Sequence, residues 1–139
     1  MHEGGCNCGA VRFRVKNAPQ RTSVCHCKFC QRRTGSAFGV GVYFLKDHFE
    51  LLKGELRFYE HRSDETGRWL RTEFCAKCGS TVSWTLEINP TWRGVAAGCF
   101  DDTSWLKIER HGWTRSRQHW VVIPPGVETF EKSSLPPPR

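Results

Sequence analysis

Seven of the eight cysteines fall into three tight clusters, Cys6-x-Cys8, Cys25-x-Cys27-x-x-Cys30 and Cys75-x-x-Cys78. A cysteine two or three positions from another puts two sulfurs on one tight loop, close enough for a single tetrahedral zinc with bonds of about 2.3 Å. The two pairs, Cys6 with Cys8 and Cys75 with Cys78, supply four ligands and close one structural site. The triplet Cys25, Cys27 and Cys30 supplies three and leaves a fourth position open, as catalytic zinc requires. Thiolate donors weaken the Lewis acidity of the ion, so such a site suits holding a sulfur nucleophile better than making hydroxide. Two alternatives stay open: Cys99 as a fourth ligand would close the second site, and His26 would coordinate only if it did not point away from its cysteine neighbours in extended chain. Disulfides compete for the same thiols, but cysteines one residue apart cannot bridge each other without severe strain.

The elements that must position these thiols read as β. Val11, Phe13 and Val15 alternate with Arg12 and Arg14, which predicts a half-buried strand after the first cluster. Further strands are predicted over residues 38–45, 56–60, 69–74, 81–86, 95–100 and 120–123, rich in aromatic and β-branched side chains. Turn residues separate them, as at Lys53-Gly54, Asn89-Pro90 and Asp101-Asp102. One short helical turn is expected after Cys27. The organisation is a single zinc-binding domain over residues 1–123 and a Pro/Ser-rich carboxy-terminal extension over 124–139, expected to be extended and peripheral. The terminal prolines are at most a weak Pro-rich ligand for a partner.

At 139 residues the chain is large enough for one core, and a metal staple would help it. No stretch approaches the roughly 20 apolar residues of a membrane span. The start, Met1-His2-Glu3-Gly4-Gly5, carries no apolar leader, so a reducing compartment, the cytoplasm, is expected. The formal charge of +7 falls to about +4 once seven thiolates hold two zinc ions. Its arginines are scattered without a basic run, which reads as a solvated surface, is equally compatible with a pocket for a small anion, and makes nucleic acid a poor expectation.

The segments Gly4-Gly5-Cys6-Asn7-Cys8-Gly9-Ala10-Val11-Arg12-Phe13, Cys25-His26-Cys27-Lys28-Phe29-Cys30-Gln31-Arg32-Arg33-Thr34-Gly35-Ser36-Ala37-Phe38 and Phe74-Cys75-Ala76-Lys77-Cys78-Gly79-Ser80 closely resemble the glutathione-dependent formaldehyde-activating enzyme family, which also includes centromere protein V. Gly98-Cys99-Phe100-Asp101-Asp102 and His111-Gly112-Trp113 resemble its carboxy-terminal signature. The resemblance implies a mainly β, Mss4-like β-tent of antiparallel sheets stapled by zinc. It implies a structural ion on Cys6, Cys8, Cys75 and Cys78 and a catalytic one on Cys25, Cys27 and Cys30. The implied activity is that of a carbon–sulfur lyase, adding glutathione to formaldehyde or a related small electrophile to give S-hydroxymethylglutathione. Arg32 and Arg33, just after the triplet, are candidates to pair with a glutathione carboxylate. Small-molecule thiol and electrophile are the expected partners, with no membrane. The alternative is a non-catalytic, zinc-stabilised module that binds protein or nucleic acid.

Overall fold

The computed structural model describes residues 1–134. Eleven short strands and one α-helix follow in the order β1 (His2–Gly5), β2 (Arg12–Val15), β3 (Arg21–Cys25), α1 (Lys28–Thr34), β4 (Gly39–Leu45), β5 (Phe49–Lys53), β6 (Leu56–Arg62), β7 (Trp69–Cys75), β8 (Thr81–Leu86), β9 (Trp92–Ala96), β10 (Arg110–Gly112) and β11 (Glu128–Thr129). The protein is mainly β, as the period-two patterning requires. Strands β1, β2 and β5 form an antiparallel three-stranded sheet, and the other eight form a sheet in the order β11-β10-β3-β4-β9-β8-β7-β6. In the larger sheet β10 runs parallel to both β3 and β11, and the remaining pairs are antiparallel.

The alternating Val11, Phe13 and Val15 pack, fully buried, against Val42, Phe44 and Val95 of the larger sheet, with Phe100 joining them. That layer closes the core. On the opposite face of the same sheet, Tyr43, Trp84 and Leu86 form a second cluster. The register of β7 and β8 slips at Glu73/Phe74, which lets Val82 enter the core while Trp84, on the same strand, belongs to the other face.

Trp84 lies in a slot made by two glycines. A Cβ on Gly94 would come within 2.2 Å of its indole nitrogen, and one on Gly41 within 2.9 Å of its ring. Its N–H donates to the Tyr43 hydroxyl at 3.1 Å. Gly94→Ala is therefore expected to displace the indole and lower the unfolding free energy by about 1–3 kcal/mol, read from chemical denaturation. An unchanged midpoint would show that Trp84 moves aside without cost.

Two expectations fail here. Residues 120–123 form no strand: Val121 N–H closes a turn onto Gln118, Trp120 and Val122 are 63% and 84% exposed, and Pro124-Pro125 follow. Prolines cannot donate to a ladder, so the buried Val121 is seated by this turn and not by strand pairing. The strand expected over 95–100 lies earlier, as β9, because the chain turns tightly at Ala97–Cys99. The extension also contributes structure. Glu128–Thr129 adds a strand to the sheet edge, and Ser134 is buried with its hydroxyl 2.9 Å from that of Ser23. The terminal Leu135-Pro136-Pro137-Pro138-Arg139 lies outside the described residues. Among the described residues no helix is long and apolar enough to cross a membrane.

Candidate metal centres and cavity

β7 ends at Cys75, and a tight turn returns the chain through Cys78 and Gly79 into β8. The Gly79 N–H donates to the Cys75 carbonyl at 2.9 Å, and Gly79 has φ +79°, in the left-handed region that favours glycine. The β1–β2 loop brings Cys6 and Cys8 to this turn, so that all four sulfurs lie within 4.8 Å of one another. The Sγ–Sγ separations of 3.6 Å for Cys6–Cys8 and 3.8 Å for Cys8–Cys75 match the edge of a tetrahedron. With metal–sulfur bonds of about 2.3 Å that edge is about 3.8 Å.

Hydrogen-bond donors surround these sulfurs as they would thiolates. Val11 N–H donates to Cys6 Sγ at 3.2 Å, and Lys77 and Cys78 N–H donate to Cys75 Sγ at 3.3 and 3.4 Å. The Ser80 hydroxyl and N–H pull the Cys78 thiol down to about 5. An all-sulfur donor set in this cradle fits one closed metal site.

The second group is assembled where β3 meets α1. Cys25 is the last residue of β3, and Cys27 caps the helix, its sulfur accepting the Cys30 N–H at 3.3 Å. Gly35, at φ 64°, ends the helix after its 7 residues in the left-handed conformation. The sulfurs of Cys25, Cys27 and Cys30 also lie within 4.8 Å of one another. The neighbouring Cys25 and Cys30 thiols, followed by backbone N–H groups, bring the Cys27 thiol down to about 3, while sharing protons with Cys27 and Cys30 pushes Cys25 up. Such a trio fits one face of a metal ion.

Cys99 belongs to neither group. Its thiol donates to the Thr81 carbonyl at 3.4 Å, and burial pushes it up to about 11, the behaviour of a neutral, packed cysteine. His26 is absent from the triplet as well. Its ring is fully buried and turned onto His111, with Nε2 2.8 Å from His111 Nδ1, and burial lowers its pKa to about 4. His26 Nδ1 has no partner among the described residues. A proton on Nε2, donated to His111, leaves that nitrogen as a bare acceptor, the less costly orphan. Gln31 ties the same loop to the carboxy-terminal segment, donating to the His26 and Ser116 carbonyls at 2.9 and 3.0 Å.

Cys25, Cys27 and Cys30 line a cavity of about 380 Å³, in the size range of small-molecule sites. Tyr43, Trp69, Trp84 and Trp113 supply aromatic wall, and Lys28, Arg33, Arg68 and Arg115 supply positive charge. Cys6, Cys8, Cys75 and Cys78 do not reach it. Arg33 projects into the cavity with its guanidinium 4.6 Å from the centre of the Trp84 ring. Arg32, one residue on the other side of the helix, is exposed and outside the lining.

The sequence model for the glutathione-dependent formaldehyde-activating enzyme matches residues 1–116, a span that contains both cysteine groups. The chain belongs to that family. A Halomonas elongata protein named provisionally as a glutathione-dependent formaldehyde-activating enzyme is 31% identical over 129 residues, covering 87% of this chain and 80% of its own. A Rhodobacter sphaeroides protein of known crystal structure shares the fold with a TM-score of 0.59 at 21% identity, over 92% of this chain and 98% of its own.

In this family member two parts of the cavity were not legible as site residues. The loop between β6 and β7 contributes Ser63, Asp64, Glu65 and Thr66, and the carboxy-terminal extension contributes Ser133 and Ser134. Only the turn composition at Ser63-Asp64-Glu65-Thr66-Gly67 marked the first, and nothing local marked the second. His111 and Trp113 lie on and after β10, and only Trp113 reaches the cavity.

Proposed function

We propose that the protein is a zinc-dependent enzyme of the carbon–sulfur lyase type, joining glutathione to formaldehyde or a related small electrophile. The observation that carries this reading is the three-cysteine group at the wall of an aromatic, cationic cavity, with no fourth side-chain donor gathered to it among the described residues. A structural ion would sit on Cys6, Cys8, Cys75 and Cys78, and the reactive one on Cys25, Cys27 and Cys30. Zinc held by the triplet would supply modest Lewis acidity and keep a substrate thiol ionised at neutral pH.

The chain's own residues do the positioning. The Gly41–Gly94 slot fixes Trp84, Trp84 supports the Arg33 guanidinium, and Arg33 offers a planar fork to a glutathione carboxylate beside Cys30. A sulfur–carbon bond then forms as the carbonyl π pair moves to oxygen, which takes up the proton released by the thiol. Water entering the open cavity carries that proton. The cytoplasm, where thiols and glutathione stay reduced, suits this chemistry.

Exchange spectroscopy on an equilibrium mixture of glutathione and formaldehyde tests the activity: the zinc-loaded protein is expected to speed interconversion. No acceleration at any glutathione concentration rejects this reaction. Arg33→Gln is expected to raise the glutathione KM about tenfold with a smaller change in kcat, as loss of a charged hydrogen bond predicts. An equal fall in kcat alone would remove Arg33 from the binding role.

A further inference from the structure

The two carboxylates that line the cavity, Asp64 and Glu65, both come from the loop between β6 and β7. Glu65 reaches across to the carboxy-terminal segment. One carboxylate oxygen pairs with Arg115, and the other lies 3.0 Å from the Lys132 ammonium. Arg115 and Lys132 are brought together because residues 113–115 hydrogen-bond along 130–132: Trp113 N–H donates to the Lys132 carbonyl at 2.8 Å, and Arg115 N–H to that of Glu131 at 3.5 Å. Trp113 holds φ 56°, in the left-handed region uncommon for an aromatic residue, and carries the Arg115 guanidinium 5.1 Å from its ring centre. Lys132 lies beyond the span that the family's sequence model matches.

The arrangement is built to hold an anion. Two cations from separate stretches of chain converge on one carboxylate at the cavity rim, and Arg68, also in the lining, has no carboxylate partner among the described residues. The Lys132 hydrogen bond, then Arg115, holds the Glu65 carboxyl below its usual range. The loop is internally tied, with Gly67 N–H donating to the Ser63 carbonyl at 2.8 Å and Thr66 N–H to the Ser63 hydroxyl at 3.2 Å, so it can leave as a unit. Glu65 and Lys132 remain 37% and 63% exposed, and ion pairs this open are weak enough for an incoming carboxylate to replace.

We propose that Glu65 is an internal competitor: its carboxylate fills the Arg115–Lys132 pair that receives a carboxylate of an anionic substrate, and the loop must release before that substrate docks. The identity of the substrate as an anionic thiol rests on the reading above, whereas the anion site rests on the ion-pair geometry.

Calorimetric titration of the zinc-loaded full chain separates the two. The probes are glutathione, S-methylglutathione, which keeps the carboxylates but has no free thiol, and 2-mercaptoethanol, which has the thiol without a carboxylate. If the closed loop outweighs the open one by about four to one, Glu65→Gln tightens glutathione and S-methylglutathione about fivefold and leaves 2-mercaptoethanol unchanged. Arg115→Gln weakens S-methylglutathione by about threefold or more, as loss of a charge-assisted contact requires. A gain below about threefold for S-methylglutathione in Glu65→Gln, an equal gain for 2-mercaptoethanol, or no S-methylglutathione binding to either protein overturns the proposal. The thiol reading fails on a different result, glutathione binding the wild type no tighter than its S-methyl ether, which leaves the Glu65→Gln comparison intact.

Discussion

Cys75→Ser is expected to leave the chain without a cooperative unfolding transition. Cys75 is 2% exposed, belongs to the main core cluster and stands in the four-sulfur group, so on the proposed reading the substitution removes one of four metal ligands and buries a hydroxyl at one point. That group ties the β1–β2 loop to the β7–β8 turn, which are distant in sequence and belong to different sheets. Structural zinc sites bind with about 10–16 kcal/mol of apparent free energy, comparable to the whole stability of about 5–15 kcal/mol typical of a domain. Losing one of four ligands forfeits enough of it to unfold or aggregate the protein. Circular dichroism melts, with metal content measured on the same samples, check the result, and chelation of the wild type should reproduce it. Cys99→Ser is the control. It also replaces a thiol packed against the core, yet lies off both groups, and is expected to melt cooperatively at a cost of about 1–2 kcal/mol. A Cys75→Ser protein that melts as cooperatively as that control would show that the four sulfurs do not staple the fold.

The two cysteine groups were legible because the spacing of candidate ligands is a local property. Two sulfurs a few residues apart on a turn converge whatever the rest of the chain does, and the structure gathers four in one group and three in the other. Strands β4, β7 and β8 were legible for a related reason: their β-branched and aromatic residues bury a face that a strand presents by itself. β1 was not, since His2-Glu3-Gly4-Gly5 has no such face. It is a strand because β2 offers it a ladder and because glycine lets Gly4 approach closely, where a Cβ would lie 2.1 Å from the Cys99 carbonyl oxygen. β10 has only Arg110-His111-Gly112 and exists by lying between β3 and β11, a pairing no local pattern announces. The same limit hid half of the cavity. Tryptophan stripes alone do not say which ring faces a pocket, and the choice of Arg33 over Arg32 needed the helix phase, set by Cys27 as cap. Nothing in the composition of residues 124–134 pointed to a strand, a buried serine and a cation paired with Glu65 of the cavity wall.

Cys27→Ser is expected to have the opposite profile to Cys75→Ser, with the fold kept and the chemistry lost. Cys27 caps α1 by accepting the Cys30 N–H, and serine is among the best residues for that task, so the local structure is preserved or improved. The triplet is only partly buried and lies apart from the main core, so losing an ion there removes no long-range tie of the kind made by Cys6, Cys8, Cys75 and Cys78. Two thiols remain, too few to hold the ion against solvent and chelators at ordinary concentrations. Bound zinc is therefore expected to fall from two ions per chain to one, with the unfolding free energy within about 1 kcal/mol of wild type. Glutathione–formaldehyde exchange is expected to return to the uncatalysed rate. The three readouts discriminate because each alternative moves only some of them. Loss of zinc with exchange retained would put the reaction elsewhere on the protein, and loss of exchange with both ions retained would make Cys27 itself, not the metal it holds, the reactive group. A collapse of the melt together with the zinc would make the triplet a second staple, which the open side of its cavity argues against.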